Sequence, residues 1–211
     1  EIYTLSLHDA LPICDGRQDI FYLEDAYYYG GAKVYLADTN GELVEQQDIA
    51  HNYLGVPWNV KHLLVHAGDF NADGRTDLML QRKSSYSGLT SVYVLLANAN
   101  GEFHTILQEI GYNELGIFWH SLRHLIHTGD FNGDGRTDIY LQGREYTDAN
   151  IMMLADQDGK FLSFHQNGVF NNRFKANDSK LHIGDFNGDG QSDMIMQSKA
   201  SYWEDALMAL S

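Results

Sequence analysis

The chain has little of what stabilises small secreted scaffolds or membrane proteins. Among its 211 residues there is one cysteine, so no internal disulfide can form. Two prolines against 20 glycines indicate many tight turns rather than stiff linkers. There are 14 Lys and Arg against 29 Asp and Glu, and the net charge of −15 excludes the basic footprint that nucleic acids and anionic membranes require. No apolar run approaches the roughly 20 residues of a membrane span, so we expect no membrane insertion.

The first thirteen residues differ in origin from the rest. Residues 1–13 read EIYTLSLHDALPI, and this string resembles the conceptual translation of a common short-read sequencing adapter. A signal peptide is the alternative, but the segment opens on an acidic residue and lacks a basic n-region and a long apolar h-region. We therefore predict that residues 1–13 are adapter-derived and that the natural protein is represented by residues 14–211.

The remaining chain is a repeat. Three segments correspond closely: HAGDFNADGRTDLMLQ (66–81), HTGDFNGDGRTDIYLQ (127–142) and HIGDFNGDGQSDMIMQ (182–197). A fourth copy, DGRQDIFYLE (15–24), lacks its first half. The first intact acidic loop precedes the second by 61 residues, and the second precedes the third by 55. A fixed period of this kind is typical of repeat architectures.

Each period has the pattern of four short strands. An apolar run follows every acidic loop, and a hairpin signature with a turn at NG, NANG or DQDG comes next, at 32–46, 91–106 and 150–164. A fourth run, such as HLLVH (62–66), leads into the next loop. The sequence therefore predicts an all-β chain, a partial β-propeller of four-stranded antiparallel blades.

The acidic loops share the core D-x-N-x-D-G-x-x-D, which predicts a cation site. Side chains at positions 1, 3 and 5 can converge when the loop curls, and Gly at position 6 permits the positive φ of the curl. The backbone carbonyl at position 7 and the Asp at position 9 complete an all-oxygen shell, which suits Ca²⁺ better than Mg²⁺ or Zn²⁺. The predicted ligand residues are Asp69, Asn71, Asp73, Arg75 and Asp77; Asp130, Asn132, Asp134, Arg136 and Asp138; Asp185, Asn187, Asp189, Gln191 and Asp193; and, in the incomplete copy, Asp15, Arg17 and Asp19. We expect one Ca²⁺ in each intact loop, three in all, and a fourth, incomplete site at the N-terminus.

Two other interpretations of these loops were weighed. An EF-hand begins in the same way but requires a Glu at position 12 and flanking helices, whereas position 12 here is Leu80, Leu141 or Met196 within β-like runs. Loops of Asp, Asn and Gly are also good turns without any cation. Three copies in register nevertheless each gather three carboxylates, which repel one another unless a cation neutralises them.

The segment GDFNGDGRTDI resembles the FG-GAP / VCBS repeat family, which is similar to the propeller of integrin α-chains and to many bacterial surface proteins. The resemblance covers residues 15–211 and implies four-stranded blades with Ca²⁺ held in loops between strands. Roughly six to eight blades close such a ring, so residues 14–211 would be about three and a half repeats of a larger propeller, truncated at both ends. Two departures from the pattern are Asn at position 3, which removes one charge per site, and Ala72 at position 4 of the first intact loop.

The resemblance implies a non-enzymatic, calcium-stabilised module of a secreted or surface bacterial protein. We expect an adhesion or interaction scaffold in an extracellular, cell-surface or periplasmic location, with a Rhs-type or toxin-complex protein as one candidate parent. The alternatives are the propeller domain of a polysaccharide-active enzyme and a lectin-like glycan binder. The expected partners are a protein or glycan ligand and the neighbouring blades of the parent propeller, with no nucleic acid.

Other repeated positions each have two interpretations. One set is either a ring of ligands or pH sensors, or half-buried imidazoles bonded to a neighbouring strand: His66, His127 and His182. A second set is either a carbohydrate-stacking platform or packing between blades: Trp58, Trp119 and Phe174. A third set of aromatic and basic residues is either a ligand face or ordinary solvated loops: Tyr27–Tyr29, Tyr86, Tyr146 and Tyr202 with Lys83, Arg144 and Lys199.

Overall fold

The computed structural model describes residues 13–25, 30–84, 89–167 and 169–199, and the backbone of 206–209. The chain is all-β: four antiparallel sheets follow one another along the sequence and are joined by turns and short 3₁₀ segments. Within each sheet the strands are neighbours in chain order. This arrangement confirms the predicted partial β-propeller, and the sheets are named blades 1 to 4.

The strands match the predicted runs closely. Blade 1 contains β1 (Ile20–Leu23), β2 (Ala32–Ala37) and β3 (Leu43–Ile49). Blade 2 contains β4 (Leu63–Gly68), β5 (Asp77–Arg82), β6 (Thr90–Leu95) and β7 (Ile106–Gly111). Blade 3 contains β8 (His124–Gly129), β9 (Asp138–Gly143), β10 (Ile151–Met153) and β11 (Gln166–Asn167), and blade 4 contains β12 (Ser179–Gly184), β13 (Asp193–Ser198) and β14 (Ala206–Ala209). The 3₁₀ segments are Tyr53–Gly55, Glu114–Gly116 and Val169–Asn172.

Both faces of the inner blades are covered, which explains their nearly continuous apolar runs. In β5, Leu78 and Leu80 pack into the core between blades 1 and 2, whereas Met79 points to the other side and packs between blades 2 and 3. In β9, Leu141 belongs to that second core and Tyr140 to the third, between blades 3 and 4. Because side chains alternate along a strand, each of the two inner blades joins two cores.

The repeated tryptophans pack between blades and do not form a stacking platform. Trp58 and Trp119 are both fully buried, in the first and second cores. Each indole Nε1 donates to a carbonyl five residues earlier, Tyr53 O at 2.8 Å and Glu114 O at 3.0 Å. The stacking interpretation is therefore wrong for both tryptophans, and Phe174 packs half-buried against the third core.

Glutamines join neighbouring blades through backbone groups. The Gln47 side chain donates to Phe103 O at 3.1 Å and accepts from Phe103 N at 2.8 Å. Gln108 and Phe161 repeat this two-way bond between blades 2 and 3, with both distances 2.9 Å. A side-chain amide can satisfy the donor and the acceptor of one residue at once, so each pair fixes the register of one blade against the next.

Residues 1–12 of the predicted adapter segment lie outside the described residues. Ile13 is buried in the first core, and its backbone N–H donates to Asp19 Oδ2 at 2.9 Å. The assignment of residues 1–13 to an adapter stays a prediction. In the described part of the chain, no helix is long and apolar enough to span a bilayer.

Candidate metal centre

The acidic loops connect the first two strands of blades 2, 3 and 4, and are named loop 2 (69–77), loop 3 (130–138) and loop 4 (185–193). The position-1 carboxylate faces inwards in each. In loop 2, Asp69 Oδ1 accepts from Asp73 N at 3.0 Å and Asp69 Oδ2 accepts from Gly74 N at 2.7 Å. Gly74 has a φ of 80°, which is the positive value that the sequence predicts for position 6. The equivalent bonds recur in loops 3 and 4.

Positions 3 and 5 turn towards the same point. Asn71 Oδ1 accepts from Asp73 N at 3.2 Å, and this N–H is the one that also bonds Asp69. The Asn71 amide donates to Asp73 Oδ2 at 2.8 Å, and Asp73 Oδ1 accepts from Arg75 N at 3.0 Å. The same bonds form at 2.8–3.0 Å in loops 3 and 4. The structure therefore joins the side chains of positions 1, 3 and 5 in one hydrogen-bonded network in all three loops.

Position 9 is used differently from the prediction that it closes the ligand shell. Asp77 is fully buried, and its two oxygens accept from Phe70 N at 3.0 Å and from Ala97 N at 2.9 Å. Asp138 makes the corresponding bonds to Phe131 N and Ala155 N, at 3.1 and 2.8 Å. This carboxylate thus ties its loop to the end of the third strand of the same blade, and the three aspartates of an intact loop do not converge within 4.8 Å of one another.

Burial has a strong effect on the position-9 carboxylates. It raises the pKa of Asp77 to about 7, and repulsion by the carboxylates of Asp73 and Asp69 adds to the shift. The pKa of Asp138 is raised to about 7 for the same reasons, with Asp134 and Asp130 as the repelling groups. A cation in the loop would oppose both shifts, because a positive charge favours the ionised carboxylate.

The side chain at position 7 is itself an electrostatic partner, which sequence reasoning missed. Arg75 donates from Nε to Ala97 O at 3.0 Å, and its Nη2 pairs with Asp73 Oδ2. Arg136 does the same with Ala155 O and Asp134. The predicted ligand at this position is the backbone carbonyl, and that part of the prediction stays a prediction.

The incomplete first copy keeps part of the same arrangement. Arg17 pairs with Asp15 and donates from Nε to Ala37 O at 2.6 Å, and Asp19 Oδ1 accepts from Ala37 N at 3.0 Å. Cys14, Asp15 and Asp19 have ligand atoms within 4.8 Å of one another, and among the described residues they are the one such group of three His, Cys, Asp or Glu side chains. Asp15, Arg17 and Asp19 thus make the same contacts as positions 5, 7 and 9 of loop 2.

Comparison with known proteins agrees with this geometry. The model of the FG-GAP-like repeat matches residues 15–80 and 130–196, which is more than half of the chain. The chain belongs to the FG-GAP-like repeat family. Its fold is similar to the solved structure of an Agrocybe aegerita lectin described as specifically recognising non-reducing terminal N-acetylglucosamine, with a TM-score of 0.59 and 18% identity. The similarity covers 88% of this chain and 44% of the lectin chain. No curated protein matches.

Loops 2 and 3 each also hold the next blade. The backbone carbonyl of Asp69 accepts from Thr137 N at 2.6 Å, and that of Asp130 accepts from Ser192 N at 2.6 Å. The approach requires glycine before the loop, because a Cβ at Gly68 would lie 2.4 Å from Thr137 Cγ2, and one at Gly129 would lie 3.0 Å from Ser192. Contact between blades therefore explains the glycine that precedes loop 2 and the one that precedes loop 3.

The repeated histidines lie on the first strands β4, β8 and β12, which bound a cavity of about 690 Å³. His66 Nε2 bonds Gln81 Oε1 at 3.2 Å and His127 Nε2 bonds Gln142 Oε1 at 3.0 Å. Both His66 and His127 line the cavity. Gln81 Nε2 donates to two carbonyls, so its Oε1 faces the imidazole and His66 carries its hydrogen on Nε2. The half-buried interpretation, with a bond to the neighbouring strand, describes both residues.

The basic residues of the suspected ligand face have structural partners. Lys83 donates to Val60 O at 2.7 Å, Arg144 to Ser121 O at 2.5 Å and Lys199 to Ala176 O at 2.6 Å. These equivalent bonds hold the segment before each first strand. Tyr146 is 83% exposed, whereas Tyr27–Tyr29, Tyr86 and Tyr202 lie outside the described residues.

Sequence reasoning missed one cluster, in blade 3. Tyr112, Phe118, His120 and Arg123 precede β8, and Asp148 follows β9; they meet at the end of the blade opposite loop 3. The signal was available in the repeat alignment, because the other blades have different residue types at these positions. It was hidden by the 25 residues that separate Arg123 from Asp148, which the β8–β9 pairing of His124 with Gly143 brings together.

Proposed function

We propose that this chain is a calcium-stabilised binding module of an extracellular or surface-exposed protein built on FG-GAP-like repeats. The observation that carries the proposal is the shared geometry of loops 2, 3 and 4, in which the position-1 and position-3 oxygens accept from one N–H and position 5 lies beside them. Carboxylate and amide oxygens on a flexible loop are typical Ca²⁺ ligands. The residues that would hold the ion are those at positions 1, 3 and 5, and Ca²⁺ would supply the charge that offsets their repulsion.

The proposed role of the cation is structural. Extracellular modules bind Ca²⁺ with dissociation constants of roughly 10⁻⁴–10⁻³ M. A free concentration about tenfold above that constant would stabilise the fold by about 1.4 kcal/mol per site, and three independent sites would contribute about 4 kcal/mol. Because folded proteins are only marginally stable, this is a large fraction of the total free energy of unfolding. The contribution would be absent where free Ca²⁺ is scarce. An extracellular location follows from this argument.

Thermal unfolding of the full chain in EGTA, Ca²⁺ and Mg²⁺ tests the proposal. We expect millimolar Ca²⁺ alone to raise the melting temperature by several degrees. The double variant Asp185→Asn/Asp189→Asn should lose about a third of that increase. A matched control, Asp158→Asn/Asp178→Asn, removes the same charge from exposed positions outside the loops. This control should keep the full Ca²⁺-dependent increase in melting temperature. An unchanged melting temperature in a folded wild-type sample would contradict the proposal.

Glycan binding is a second candidate for what the module recognises. The observation that favours it is the fold similarity to a lectin described as specific for non-reducing terminal N-acetylglucosamine. A glycan microarray that includes N-acetylglucosamine-terminated structures tests it, with Ca²⁺ present. Binding of at least one glycan class above background supports this candidate, and an empty array leaves a protein partner as the better hypothesis.

A further inference from the structure

Blade 3 differs from its neighbours at the end opposite the acidic loops. Counted back from the first Asp of loop 3, Tyr112, Phe118 and His120 stand 18, 12 and 10 residues earlier. The equivalent residues are His51, Pro57 and Asn59 in blade 2, and Asn167, Arg173 and Lys175 in blade 4. The aromatic cluster is therefore not part of the repeat, and the packing that all blades share does not explain it.

The rings of this cluster form a compact arrangement. His120 stacks parallel to Tyr112, with ring centroids 5.6 Å apart and an interplanar angle of 2°. Phe118 lies 5.4 Å from Tyr112, and the guanidinium carbon of Arg123 lies 4.8 Å above the Phe118 ring. Tyr112 and Phe118 are both half-exposed. His120 and Phe118 thus both pack against Tyr112, which remains partly exposed.

The charged groups beside the rings neutralise each other. Arg123 donates from Nε to Asp148 Oδ1 at 2.7 Å, and its Nη2 bonds the same oxygen. The Asp148 side chain is 1% exposed, whereas that of Arg123 is 33% exposed. The guanidinium therefore keeps N–H donors available to solvent while its charge is balanced. Such a surface favours a neutral polar ligand over an anion, all the more in a chain with a net charge of −15.

Two further observations indicate that this end of blade 3 is built for contact. Tyr146 and Leu122 are 83% and 59% exposed, and in the chain Tyr146 stands two residues before Asp148 and Leu122 directly before Arg123. His120 is 3% exposed, and its Nδ1 is buried with no hydrogen-bond partner among the described residues. A buried polar atom of this kind is a natural partner for a bound water molecule.

We propose that Tyr112, Phe118, Leu122, Arg123 and Tyr146 form a binding site for a neutral saccharide, named the blade-3 patch. Pyranose rings present apolar C–H faces, which pack on aromatic side chains, and hydroxyl groups, which accept from guanidinium N–H groups. The aromatic rings of the blade-3 patch suit the apolar faces of a sugar, and the guanidinium of Arg123 suits its hydroxyl groups. This inference rests on the glycan-binding candidate above and locates the glycan site on blade 3. It does not depend on the proposed calcium sites, because loop 3 lies at the other end of the same blade.

The test is a microarray of neutral glycans probed with the full chain, followed by ligand-observed NMR titration of the best-bound glycan. Tyr146→Ala removes a side chain that is 83% exposed, so folding should be unaffected. We expect Tyr146→Ala and Tyr112→Ala each to weaken binding about three- to tenfold. The matched control is Phe164→Ala, which removes another exposed aromatic ring, 37% exposed, between β10 and the two-residue β11, and should bind as the wild type does.

The outcomes separate this site from the function on which it rests. A bound neutral glycan whose affinity falls in Tyr146→Ala, but not in Phe164→Ala, supports the blade-3 patch. A bound glycan whose affinity is unchanged in Tyr146→Ala and in Tyr112→Ala overturns the patch and leaves glycan binding intact. Absence of binding to every neutral glycan by a folded, Ca²⁺-loaded chain overturns both.

Discussion

The guanidinium of Arg136 pairs with the carboxylate of Asp134, two residues earlier in the same acidic loop. Arg75 and Asp73 form the equivalent pair in loop 2. Loop 4 has Gln191 at this position, so its Asp189 has no positively charged neighbour within the loop. Two of the three proposed calcium loops therefore contain their own counter-charge, and the third does not.

We predict that loop 4 binds Ca²⁺ more tightly than loops 2 and 3. Arg136→Gln should strengthen binding at loop 3 about two- to fivefold, and Gln191→Arg should weaken loop 4 by a similar factor, since a partly exposed ion pair contributes up to about 1 kcal/mol. Calorimetric titration of chains in which the other loops carry Asp→Asn changes measures this. Lys180→Gln, which removes an exposed charge outside the loops, is the control. A Ca²⁺ affinity that is unchanged by Arg136→Gln in loop 3 and by Gln191→Arg in loop 4 would contradict the prediction.

A second prediction concerns the glutamine that follows each acidic loop. Gln81 is fully buried and donates to Trp119 O at 2.9 Å and to His124 O at 2.8 Å, both in the segment that leads into blade 3. Gln81→Leu leaves these carbonyls and the His66 N–H unpaired, and should lower the free energy of unfolding by about 3 kcal/mol.

Urea unfolding followed by circular dichroism measures the effect of Gln81→Leu. Gln197→Leu is the matched control, because Gln197 occupies the same repeat position but is exposed and bonds His182 at 3.3 Å. That change should cost less than about 1 kcal/mol. Similar losses in the two variants would show that the bonds to blade 3 are not the cause.

A third prediction concerns Tyr140. Its hydroxyl is buried in the third core with no hydrogen-bond partner among the described residues. Tyr140→Phe removes an unpaired polar group and should leave stability unchanged or raise it by about 1 kcal/mol. Tyr93→Phe should instead lower stability, because the Tyr93 hydroxyl accepts from Arg82 Nη2 at 3.2 Å. Denaturant midpoints compare the two variants, and a destabilised Tyr140→Phe would reveal an undetected partner.

The fourth prediction is a pH dependence. Burial lowers the pKa of His66 and of His127 to about 4, against 6.5 for a free side chain. The folded state therefore binds fewer protons than the unfolded state between those values. The stability that these residues contribute is complete above about pH 6.5 and is lost as the pH falls towards 4.

The measurement is the melting temperature of wild type and His127→Gln between pH 7.5 and 4.5. The melting temperature of the wild type should exceed that of His127→Gln at pH 7.5, and this difference should shrink as the pH falls. Asp77 and Asp138 have raised pKa values and act in the opposite sense, but they are present in both proteins, so their effect cancels in the difference. His182→Gln, at the equivalent repeat position of blade 4, is the matched control. A constant difference for His127→Gln would be evidence against a neutral, buried imidazole.

The sequence was sufficient for the blades and the loops because both depend on local patterns. Apolar runs such as 77–81 and 138–142 follow a glycine-containing loop at a fixed distance, and the structure has β5 and β9 there. Trp58 and Trp119 each stand eleven residues before the first Asp of their loop, so the repeat alone predicts that they occupy equivalent places. These features need only the repeat and the two-residue period of a strand.

What the sequence did not reveal depends on contacts between distant segments. The position-9 aspartates look like ligands in a linear motif, but Ala97 N reaches Asp77 only after β5 and β6 pair. Gln81 repeats with His66 in the sequence, yet its bonds to blade 3 require the packing of two sheets. The blade-3 patch has the same origin, because Arg123 and Asp148 meet only once β8 and β9 are aligned.

The bond from Thr137 N to the Asp69 carbonyl couples two neighbouring blades through their acidic loops. Such a coupling is reciprocal, so damage to loop 2 should weaken blade 3, and damage to loop 3 should weaken blade 2. In a linear array with nearest-neighbour coupling, a cation bound in one loop would therefore stabilise the adjacent blades as well as its own.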